Sequence, residues 1–477
     1  MKKNKKLKYL INSSVVIIGA IIVTILLNSI LIAFDNKMSL EISLKRDEIY
    51  ELTQESKNIA DKVNEDTEIV ILCDGQYTDD LMLLSDIVNL YSERNDKIKV
   101  TTLDFVSNPT ALAPYSEAIK SITNPYYAMI FVQGEKFDTA EATSYISTSG
   151  YSNIERIITN KLATFVDGFK ISSVSMIKGH GEKSNSGFES VLKMYNYNVN
   201  TVDLLKEDLP EDEKTLVVIN SPTGDFSSEE IDKLDAFLDF GGNVQIYFDP
   251  LISNEKLPLL EEYLAKEWGI VRNHGVVVDM ENKLESGNDT LATYGIMSIA
   301  KLADSEIVKP IEQSRRDVLY SASNAFEIAK DKSSDIKLGT VLKTSKNAYL
   351  KTINTIGESK SSDDLSGEFN ILLSAERKNY TLDDEMYTGR LVVSGSGYTM
   401  DTLIGDTRFA NEDLLINSIN WMRGSEAGIT VREKELPKGS LTIPNSAYWP
   451  WFICLVVVIP VLVSLVGIII WLRRRYK

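Results

Sequence analysis

Residues 215–248 read TLVVINSPTGDFSSEEIDKLDAFLDFGGNVQIYF, and their pattern indicates the class of fold. The apolar runs 215–220 and 243–248 have the length and composition of buried strands. Between them, residues 228–240 carry apolar side chains at helical spacing. The pair Gly241-Gly242 follows, and glycine readily takes the left-handed conformation that ends a helix. A strand, a helix and a strand in this order predict an α/β protein.

The start of this helix carries its own signals. Ser227 or Ser228 can accept a hydrogen bond from the free N–H groups of the first turn. Glu229 and Glu230 follow, and negative charge is favourable at the positive end of the helix dipole. Both ends of the helix are therefore marked in the sequence.

Strands and helices alternate on both sides of this unit. Before it, strands are predicted over 68–73, 97–105, 127–133 and 171–177, and helices over 49–63, 79–93, 153–166 and 187–195. After it, strands are predicted over 275–278, 336–342, 369–375 and 391–394, and helices over 256–268 and 410–422. The polar stretches 281–293 and 353–367 are predicted loops. We expect two α/β domains, 35–168 and 169–425, each with a mostly parallel sheet, and a return linker over 426–448.

Two apolar runs without a charged side chain, 9–34 and 449–472, lie towards the two ends of the chain. Each is long enough to cross a bilayer core, which takes about 20 residues of helix. Lysines dominate residues 1–8 and arginines dominate 473–477, and basic flanks stay in the cytoplasm. The sequence predicts a two-pass protein of the plasma membrane with both termini cytoplasmic and an extracytoplasmic body over 35–448.

A cleaved signal peptide is the alternative interpretation of the first run. Signal peptides have a shorter apolar region and a cleavage site made of small residues. The run 9–34 is too long, and Asp35-Asn36-Lys37-Met38 after it offers no such site. We therefore favour an uncleaved anchor.

The composition is acidic outside the two basic tips. The formal charge of the chain is −17, and removal of the nine lysines and arginines of the tips leaves −26. Such a surface repels nucleic acid and anionic lipid headgroups. No nucleic-acid partner is expected, and we interpret most of the acidic residues as a solubilising surface.

The chain has two cysteines, Cys73 in the body and Cys454 in the second predicted span. A disulfide within the body is therefore excluded. Cys73 ends a predicted strand, where a thioredoxin-like domain carries its redox motif, but no second cysteine follows it. Dithiol exchange is thus excluded as well, and Cys73 is interpreted as a buried apolar residue.

The sharpest local motif is residues 178–183, which read KGHGEK after a predicted strand. Its glycines allow a tight turn, and a helix start beyond the turn can hold an anion. His180 and Glu182 are candidates for an acid–base pair, but catalysis also needs a nucleophile or an orienting group, which the sequence does not identify. We favour a structural or ligand-contacting turn.

Other motifs of cofactor chemistry are absent from the sequence. It has neither a GxxxxGK[ST] phosphate loop nor GxGxxG after a strand, so the chain is not expected to hydrolyse ATP. The two histidines, His180 and His274, lack the spacing of zinc ligands, and no metal or cofactor is predicted. A site for a hard cation built from carboxylates stays open.

The order of these segments resembles the gliding-motility auxiliary family of ABC transporter components, the GldG-like proteins. The likeness extends over nearly the whole chain. It rests on the membrane-proximal segment 39–53 leading to strand 68–71, the glycine-histidine turn 178–182, the unit 220–250, the late helix region 409–421, and the terminal span with its arginine cluster.

This resemblance implies a fold and a set of partners. The first extracytoplasmic domain is implied to be thioredoxin-like without a redox pair. The second is implied to be similar to flavodoxin-like or glutamine-amidotransferase-like domains that lack the nucleophile. The implied partners are an ABC permease and a separate ATP-binding subunit, whereas the transported substrate and the direction of transport are not implied.

We expect a non-catalytic auxiliary subunit that docks on the permease through two spans and presents a binding domain outside. Two alternatives stay open: a membrane-anchored surface binding protein or scaffold without a transporter, and a surface hydrolase that uses His180 and Glu182. A ligand would bind at the carboxyl ends of the strands, as in other open parallel sheets. The residues expected to line that crevice are Gly179, His180, Glu182, Ser221 and Asp249.

Overall fold

The computed structural model describes most of the chain between residues 48 and 436. The described ranges are 48–76, 78–141, 145, 150–167, 172–183, 186–209, 215–253, 255–285, 289–314, 316–380, 386–406, 408–424 and 431–436, with 465, 469, 472 and 473. One compact unit, Ile49–Leu436, contains nearly all of them, and we call it the body. The other unit comprises Met1–Glu48 and Pro437–Lys477.

The two predicted membrane spans fall almost entirely outside the described residues. None of 9–34 is described, and of 449–472 only Leu465, Ile469 and Leu472 are. Among the described residues, no helix is both long and apolar enough to cross a membrane. The two-pass topology therefore stays a prediction.

Residues 49–167 form the N-terminal subdomain around a sheet of order β2-β1-β3-β4. Its strands are β1 (Thr67–Cys73), β2 (Ile98–Asp104), β3 (Met129–Gln133), β4 (Lys136–Ala140) and β5 (Tyr151–Ser152). Its helices are α1 (Gln54–Lys62), α2 (Asp79–Arg94), α3 (Ser116–Ile119) and α4 (Ile154–Ala163), with 3₁₀ turns at Glu48–Tyr50 and Pro109–Tyr115. The helices α1, α2 and α4 cover one face of this sheet with apolar side chains.

This sheet is mixed, which corrects the expectation of a mostly parallel one. β1 and β2 are parallel, whereas β3 is antiparallel to both β1 and β4. β3 and β4 are joined by a turn of two residues, with Gly134 at φ +59°. Only antiparallel strands can be joined so tightly. The polar sequence of β4 explains why no strand was predicted there.

Residues 172–424 form the C-terminal subdomain, which is built on the main sheet. Its strands are β6 (Ser173–Ile177), β7 (Asn198–Val202), β8 (Leu216–Asn220), β9 (Asn243–Tyr247), β10 (Ile270–Asn273), β11 (Val276–Val278), β12 (Met297–Ile299), β13 (Lys301–Leu302), β14 (Leu319–Ser321), β15 (Ala325–Ile328), β16 (Ile336–Lys343), β17 (Tyr349–Lys351), β18 (Asn370–Tyr380) and β19 (Met386–Ser394). Its helices are α5 (Ser186–Met194), α6 (Ser228–Asp239), α7 (Pro258–Trp268), α8 (Thr290–Thr293), α9 (Lys309–Ser314), α10 (Tyr398–Asp401) and α11 (Asn411–Arg423), with a 3₁₀ turn at Ile353–Thr355.

Half of the main sheet is parallel, in the order β7-β6-β8-β9-β19. Numbered along the chain this order is 2-1-3-4-5, the flavodoxin-like order of doubly wound sheets. Beyond β19 the sheet continues with five strands in antiparallel pairs, β18, β15, β16, β13 and β10. The expectation of a mostly parallel sheet thus holds for one half only, because five residues between β18 and β19 are too few for a crossover helix.

Helices cover both faces of the parallel half. In β9, Tyr247 packs with α5 and α11 on one face, whereas Val244 and Ile246 pack with α6 and α7 on the other. Burial on both faces explains the unbroken apolar sequence of β8. With helices on both faces, ligands of such layered sheets bind at the carboxyl ends of the strands.

The helix α6 confirms the signals read from the sequence. Ser227 is its cap: Ser227 Oγ accepts the N–H of Glu230 at 3.3 Å, and Glu230 Oε2 accepts the N–H of Ser227 at 2.9 Å. This reciprocal pair is a capping box. Gly241 follows the helix at φ +86°.

Candidate functional site

The carboxyl ends of β6, β8, β9 and β19 lie at one edge of the main sheet because these strands are parallel. The strand order reverses between β6 and β8, and open α/β sheets bind ligands at such a point. The loops after β6 and β8 carry Gly179, His180, Glu182 and Ser221, and Asp249 follows β9. The five residues predicted to line a crevice therefore all lie at this edge.

The imidazole of His180 is buried between two carboxylates. Its Nδ1 lies 2.9 Å from Glu182 Oε1, and its Nε2 lies 3.1 Å from Glu230 Oε1. The ring also stacks on Phe226 with 3.8 Å between ring centroids. Only 6 % of the His180 side chain is exposed. We call these four residues the His180 cluster.

The two carboxylates favour a charged imidazole. Burial alone lowers the pKa of His180, but Glu182 and Glu230 outweigh burial, and the pKa is raised. Burial likewise opposes ionisation of Glu230, but its hydrogen bonds with Ser227 and the nearby His180 lower the pKa of this carboxyl overall. The arrangement therefore suits an imidazolium whose two N–H groups point towards carboxylates.

Backbone hydrogen bonds fix the turn that carries His180. Its carbonyl oxygen accepts the N–H groups of Thr223 at 2.9 Å and Gly224 at 2.8 Å, and its own N–H donates to Glu182 Oε2 at 2.8 Å. Gly181 has φ +72°, and a Cβ there would collide with Thr223 Oγ1. The loops after β6 and β8 are thus hydrogen-bonded to each other at the switch point.

Ser221 lies next to this turn in an unusual conformation. Its φ is +51°, which non-glycine residues rarely adopt, and its Oγ donates to Asn220 Oδ1 at 3.1 Å. A Cβ at Gly397 would collide with Ser221 Oγ and come within 3.4 Å of Asp249 Cβ. Gly397, just after β19, therefore belongs to the same site, although it was not predicted as a site residue.

Asp249 is the least satisfied carboxylate at this edge. It is 2 % exposed, and its Oδ1 accepts the N–H of Leu251 at 2.9 Å. Its Oδ2 is buried and has no hydrogen-bond partner among the described residues. Burial raises the pKa of this carboxyl, and the neighbouring Lys183 partly opposes that rise.

Two members of the His180 cluster, Glu230 and Phe226, were not predicted as site residues. Glu230 was recognised only as a charge in the first turn of a helix, and Phe226 was not singled out. A usable signal existed: the capping box places Glu230 in the first turn of α6, and α6 starts at the same sheet edge as the turn after β6.

Asp225, also near this edge, accepts the N–H groups of Leu259 at 2.8 Å and Leu260 at 3.2 Å at the start of α7.

The second histidine has a simpler environment. His274 Nε2 lies 2.9 Å from Glu261, whose other carboxylate oxygen lies 3.0 Å from Arg272.

In the part of the chain that the structure describes, no group of three or more His, Cys, Asp or Glu side chains is arranged to hold a metal ion. Cys73 is buried, as predicted.

A second buried charged group lies between the two subdomains, and no sequence motif indicated it. Arg156 of α4 forms an ion pair with Glu412 at the start of α11 and donates to Tyr195 Oη at 3.1 Å. The Arg156 side chain is 2 % exposed. A buried guanidinium therefore ties the N-terminal subdomain to the C-terminal one.

The outgoing segment, residues 431–436, contributes to the same group. Arg316 pairs with Asp413 and lies 3.4 Å from Glu433 Oε1, and Arg432 Nε lies 3.1 Å from Asp413 Oδ1. We call the whole group the junction cluster; its charged members are Arg156, Glu412, Arg316, Asp413, Arg432 and Glu433.

Solved structures of low sequence identity match part of this chain. The mmIFT52 N-terminal domain is 15% identical with a TM-score of 0.37, and the match covers 54% of this chain and 99% of that one. A ThuA-like protein from Parabacteroides merdae is 13% identical with a TM-score of 0.33, covering 56% and 94%. PurLQS from Thermotoga maritima is 9% identical with a TM-score of 0.31, covering 53% and 100%. With TM-scores this low, we draw no functional conclusion from these three.

Sequence comparison gives a more direct result. No curated protein matches the chain. Residues 172–418, just over half of the chain, match the family described as ABC-type uncharacterized transport system. The matched range covers nearly all of the C-terminal subdomain, including the His180 cluster.

Proposed function

Because the chain belongs to the ABC-type uncharacterized transport system family, we propose that it is a non-catalytic auxiliary subunit of an ABC transporter. The family match is the observation that carries this proposal. The sequence has no phosphate loop, so ATP hydrolysis falls to a separate ATP-binding subunit. A permease is the second partner, since two spans cannot enclose a translocation path on their own.

The subunit docks on the permease through the spans 9–34 and 449–472 and presents its body outside the plasma membrane. The uncharged runs and their basic flanks support this two-pass topology with both termini cytoplasmic. The acidic composition of the body supports a surface that faces water and binds no nucleic acid.

The geometry of His180 supports a role without catalysis. A general base needs an unprotonated nitrogen within reach of the substrate. Both ring nitrogens of His180 face carboxylates, and Phe226 covers one face of the ring. We expect peptide and glycan substrates to be turned over at the same background rate by the wild type and by His180→Ala. A hydrolysis rate that falls in the variant would favour the hydrolase instead.

The finer fold assignment is part of the proposal. The N-terminal subdomain is thioredoxin-like, supported by a parallel βαβ unit followed by an antiparallel pair and a closing helix. Its lone Cys73 leaves it without a redox pair. The C-terminal subdomain is flavodoxin-like or glutamine-amidotransferase-like, supported by the order 2-1-3-4-5 of its parallel strands.

The body binds a ligand at the edge formed by Gly179, His180, Glu182, Ser221 and Asp249. The support for a ligand is Asp249 Oδ2, which is buried and free of described partners and so offers an acceptor to a hydroxyl or amine. A panel of sugars and amines tested by thermal unfolding checks this. A compound that raises the melting temperature of the wild type but not of Asp249→Ala is the expected result.

The decisive experiment is affinity purification of the C-terminally tagged protein from native membranes in mild detergent. We expect an ABC permease and an ATP-binding subunit in stoichiometric amounts. The same tag on an unrelated two-span protein is the control. Repeated recovery of the protein alone would overturn the proposal and favour a free-standing surface binding protein.

A further inference from the structure

The chain enters the body on the N-terminal subdomain. Ile49 and Leu52 are buried in its core. Thr53 then caps α1, because its Oγ1 accepts the N–H of Ser56 at 3.3 Å. The N–H of Thr53 donates to Glu155 Oε1 at 2.6 Å. The incoming segment, residues 49–53, is therefore attached to α4 through Glu155.

The chain leaves the body on the same subdomain. The strand β20 (Lys434–Glu435) pairs antiparallel with β5, with Lys434 opposite Ser152. The N–H of Leu436 donates to the carbonyl of Gly150 at 2.9 Å, and Leu436 packs on the same core as the incoming segment. The outgoing segment thus ends within the N-terminal subdomain.

Glu155 joins the two segments. Its Oε2 forms an ion pair with the ammonium group of Lys434, and that ammonium group also donates to the carbonyl of Glu51. Only 5 % of the Glu155 side chain is exposed. One buried carboxylate therefore holds both segments, and the body begins and ends at one place on its surface.

We infer that this place is the docking surface for the permease. We define the chain-end face as residues 49–62 with 434–436, and its partner as the polar extracytoplasmic loops of the permease. The inference rests on the proposed function, since it requires a membrane-embedded partner. The chain has 48 residues before Ile49 and 41 after Leu436, and both flanks start from this face.

The course of the chain favours this face over the rest of the body. Both flanks join the body at residues that lie on the N-terminal subdomain, although the outgoing segment also pairs with the C-terminal subdomain through Arg432 and Glu433. We expect a partner held by the two spans to bind at the face where the flanks join the body rather than on residues 172–424.

The surface chemistry of α1 indicates a protein partner rather than lipid. Ser56, Ile59 and Ala60 face the core, whereas Gln54 and Asn58 are exposed and hydrogen-bond to each other at 2.9 Å. Exposed amides offer both donors and acceptors to polar loops. The acidic body is repelled by anionic lipid headgroups, which makes lipid the less suitable occupant.

Site-specific photo-cross-linking in the full-length protein tests the inference. A photoreactive amino acid replaces Asn58 in one variant and Asn354 in a matched control on the C-terminal subdomain; both asparagines are exposed, so neither change disturbs the core. Native membranes are irradiated, and tagged products are identified by mass spectrometry. We expect a permease adduct from position 58 at a yield at least several-fold above that from position 354.

The possible failures point to different errors. If the permease co-purifies but cross-links from position 354 and not from 58, the docking surface is wrong and the proposed function stands. Adducts of position 58 with lipid or with another protein, while the permease co-purifies, overturn the docking surface in the same way. If no permease co-purifies with either variant, the proposed function fails and the docking surface fails with it.

Discussion

The His180 cluster and the junction cluster both bury charge, but they are held in different ways. Around His180, backbone hydrogen bonds and a capping box fix each loop, and all partners belong to the C-terminal subdomain. The junction cluster joins α4, α11 and the outgoing segment through side chains. The apolar cores on its two sides remain separate. Charge at the sheet edge fixes a loop, whereas charge between the subdomains helps to connect them, together with neutral hydrogen bonds such as that from Asn196 Nδ2 to the carbonyl of Asn160 at 2.6 Å.

The largest expected effect comes from breaking the junction. Arg156→Met leaves Glu412 without its guanidinium, and loss of one partner of a buried ion pair costs about 3–5 kcal/mol. Thermal unfolding of the full-length protein in detergent, followed by tryptophan fluorescence, measures it.

The double variant Arg156→Met with Glu412→Leu is the matched control. It removes both charges and is expected to recover much of the lost stability, since a well-packed apolar pair can replace a buried ion pair. A double variant no more stable than the single one would show that the charges are not the connection.

The second effect comes from His180→Gln. It leaves Glu182 and Glu230 facing a neutral side chain, and an unsatisfied buried group costs about 1–3 kcal/mol. The fold should survive because the turn keeps its backbone hydrogen bonds with Thr223 and Gly224. Loss of the native circular dichroism spectrum in this variant would contradict a backbone-fixed turn.

The same variant has a pH signature. The pKa of His180 is raised in the folded protein, so the folded state binds its proton more tightly than the unfolded one. The resulting stability is fully present below about pH 6.5, the ordinary value for histidine, and is lost as the pH rises through the folded value. The difference in melting temperature between wild type and His180→Gln should therefore shrink from pH 6 to pH 9.

The junction cluster makes stability depend on pH in a lower pH range than His180 does. Burial and the nearby Glu412 raise the pKa of Glu433 to about 7, against the opposing effect of Arg156 and Arg316, and Asp413 adds to the rise. A raised carboxyl pKa gives stability that is present below about 4.5 and is lost as the pH rises through about 7. The wild type should lose more stability between pH 5 and pH 7.5 than Glu433→Gln does. Parallel pH profiles would contradict the assignment.

The smallest effect tests the capping box that supports the His180 cluster. Ser227→Ala removes the cap of α6 and should cost about 1 kcal/mol. Ser228→Ala is the neighbouring control and should stay within about 0.5 kcal/mol of the wild type. Equal losses in both variants would mean that the cap is not what stabilises this helix.

The sequence predicted the layered part of the fold well. The strands β8 and β9 and the helix α6 were found because local signals, an apolar run, a cap and a glycine pair, all agreed. The antiparallel half was predicted only in part: β16 and β18 were found, whereas the short strands β10, β13 and β15 were missed, and β18 extends beyond its apolar start into polar residues up to Tyr380. Short or polar strands are defined by their neighbours in the sheet, which a local pattern does not contain.

The site shows the same division. His180 and Glu182 are two residues apart, and their contact was anticipated. The pairing of Arg156 with Glu412 links residues 256 positions apart, and no periodicity or motif records such a distance. The resemblance to ABC transporter auxiliary components was confirmed by the family match, although it had been drawn from short segments.

The pairing of β20 with β5 has a consequence for how the protein is made. The ribosome releases the N-terminal subdomain first, yet the strand that completes its small sheet and the ammonium group that neutralises Glu155 come from residues 434 and 435. Assembly of this subdomain therefore finishes only after the whole C-terminal subdomain has been synthesised, and contacts so distant in sequence form slowly. A chain that stops before residue 431 lacks both this strand and this ammonium group. Glu155 then loses its ion pair at the surface where the finished body begins and ends.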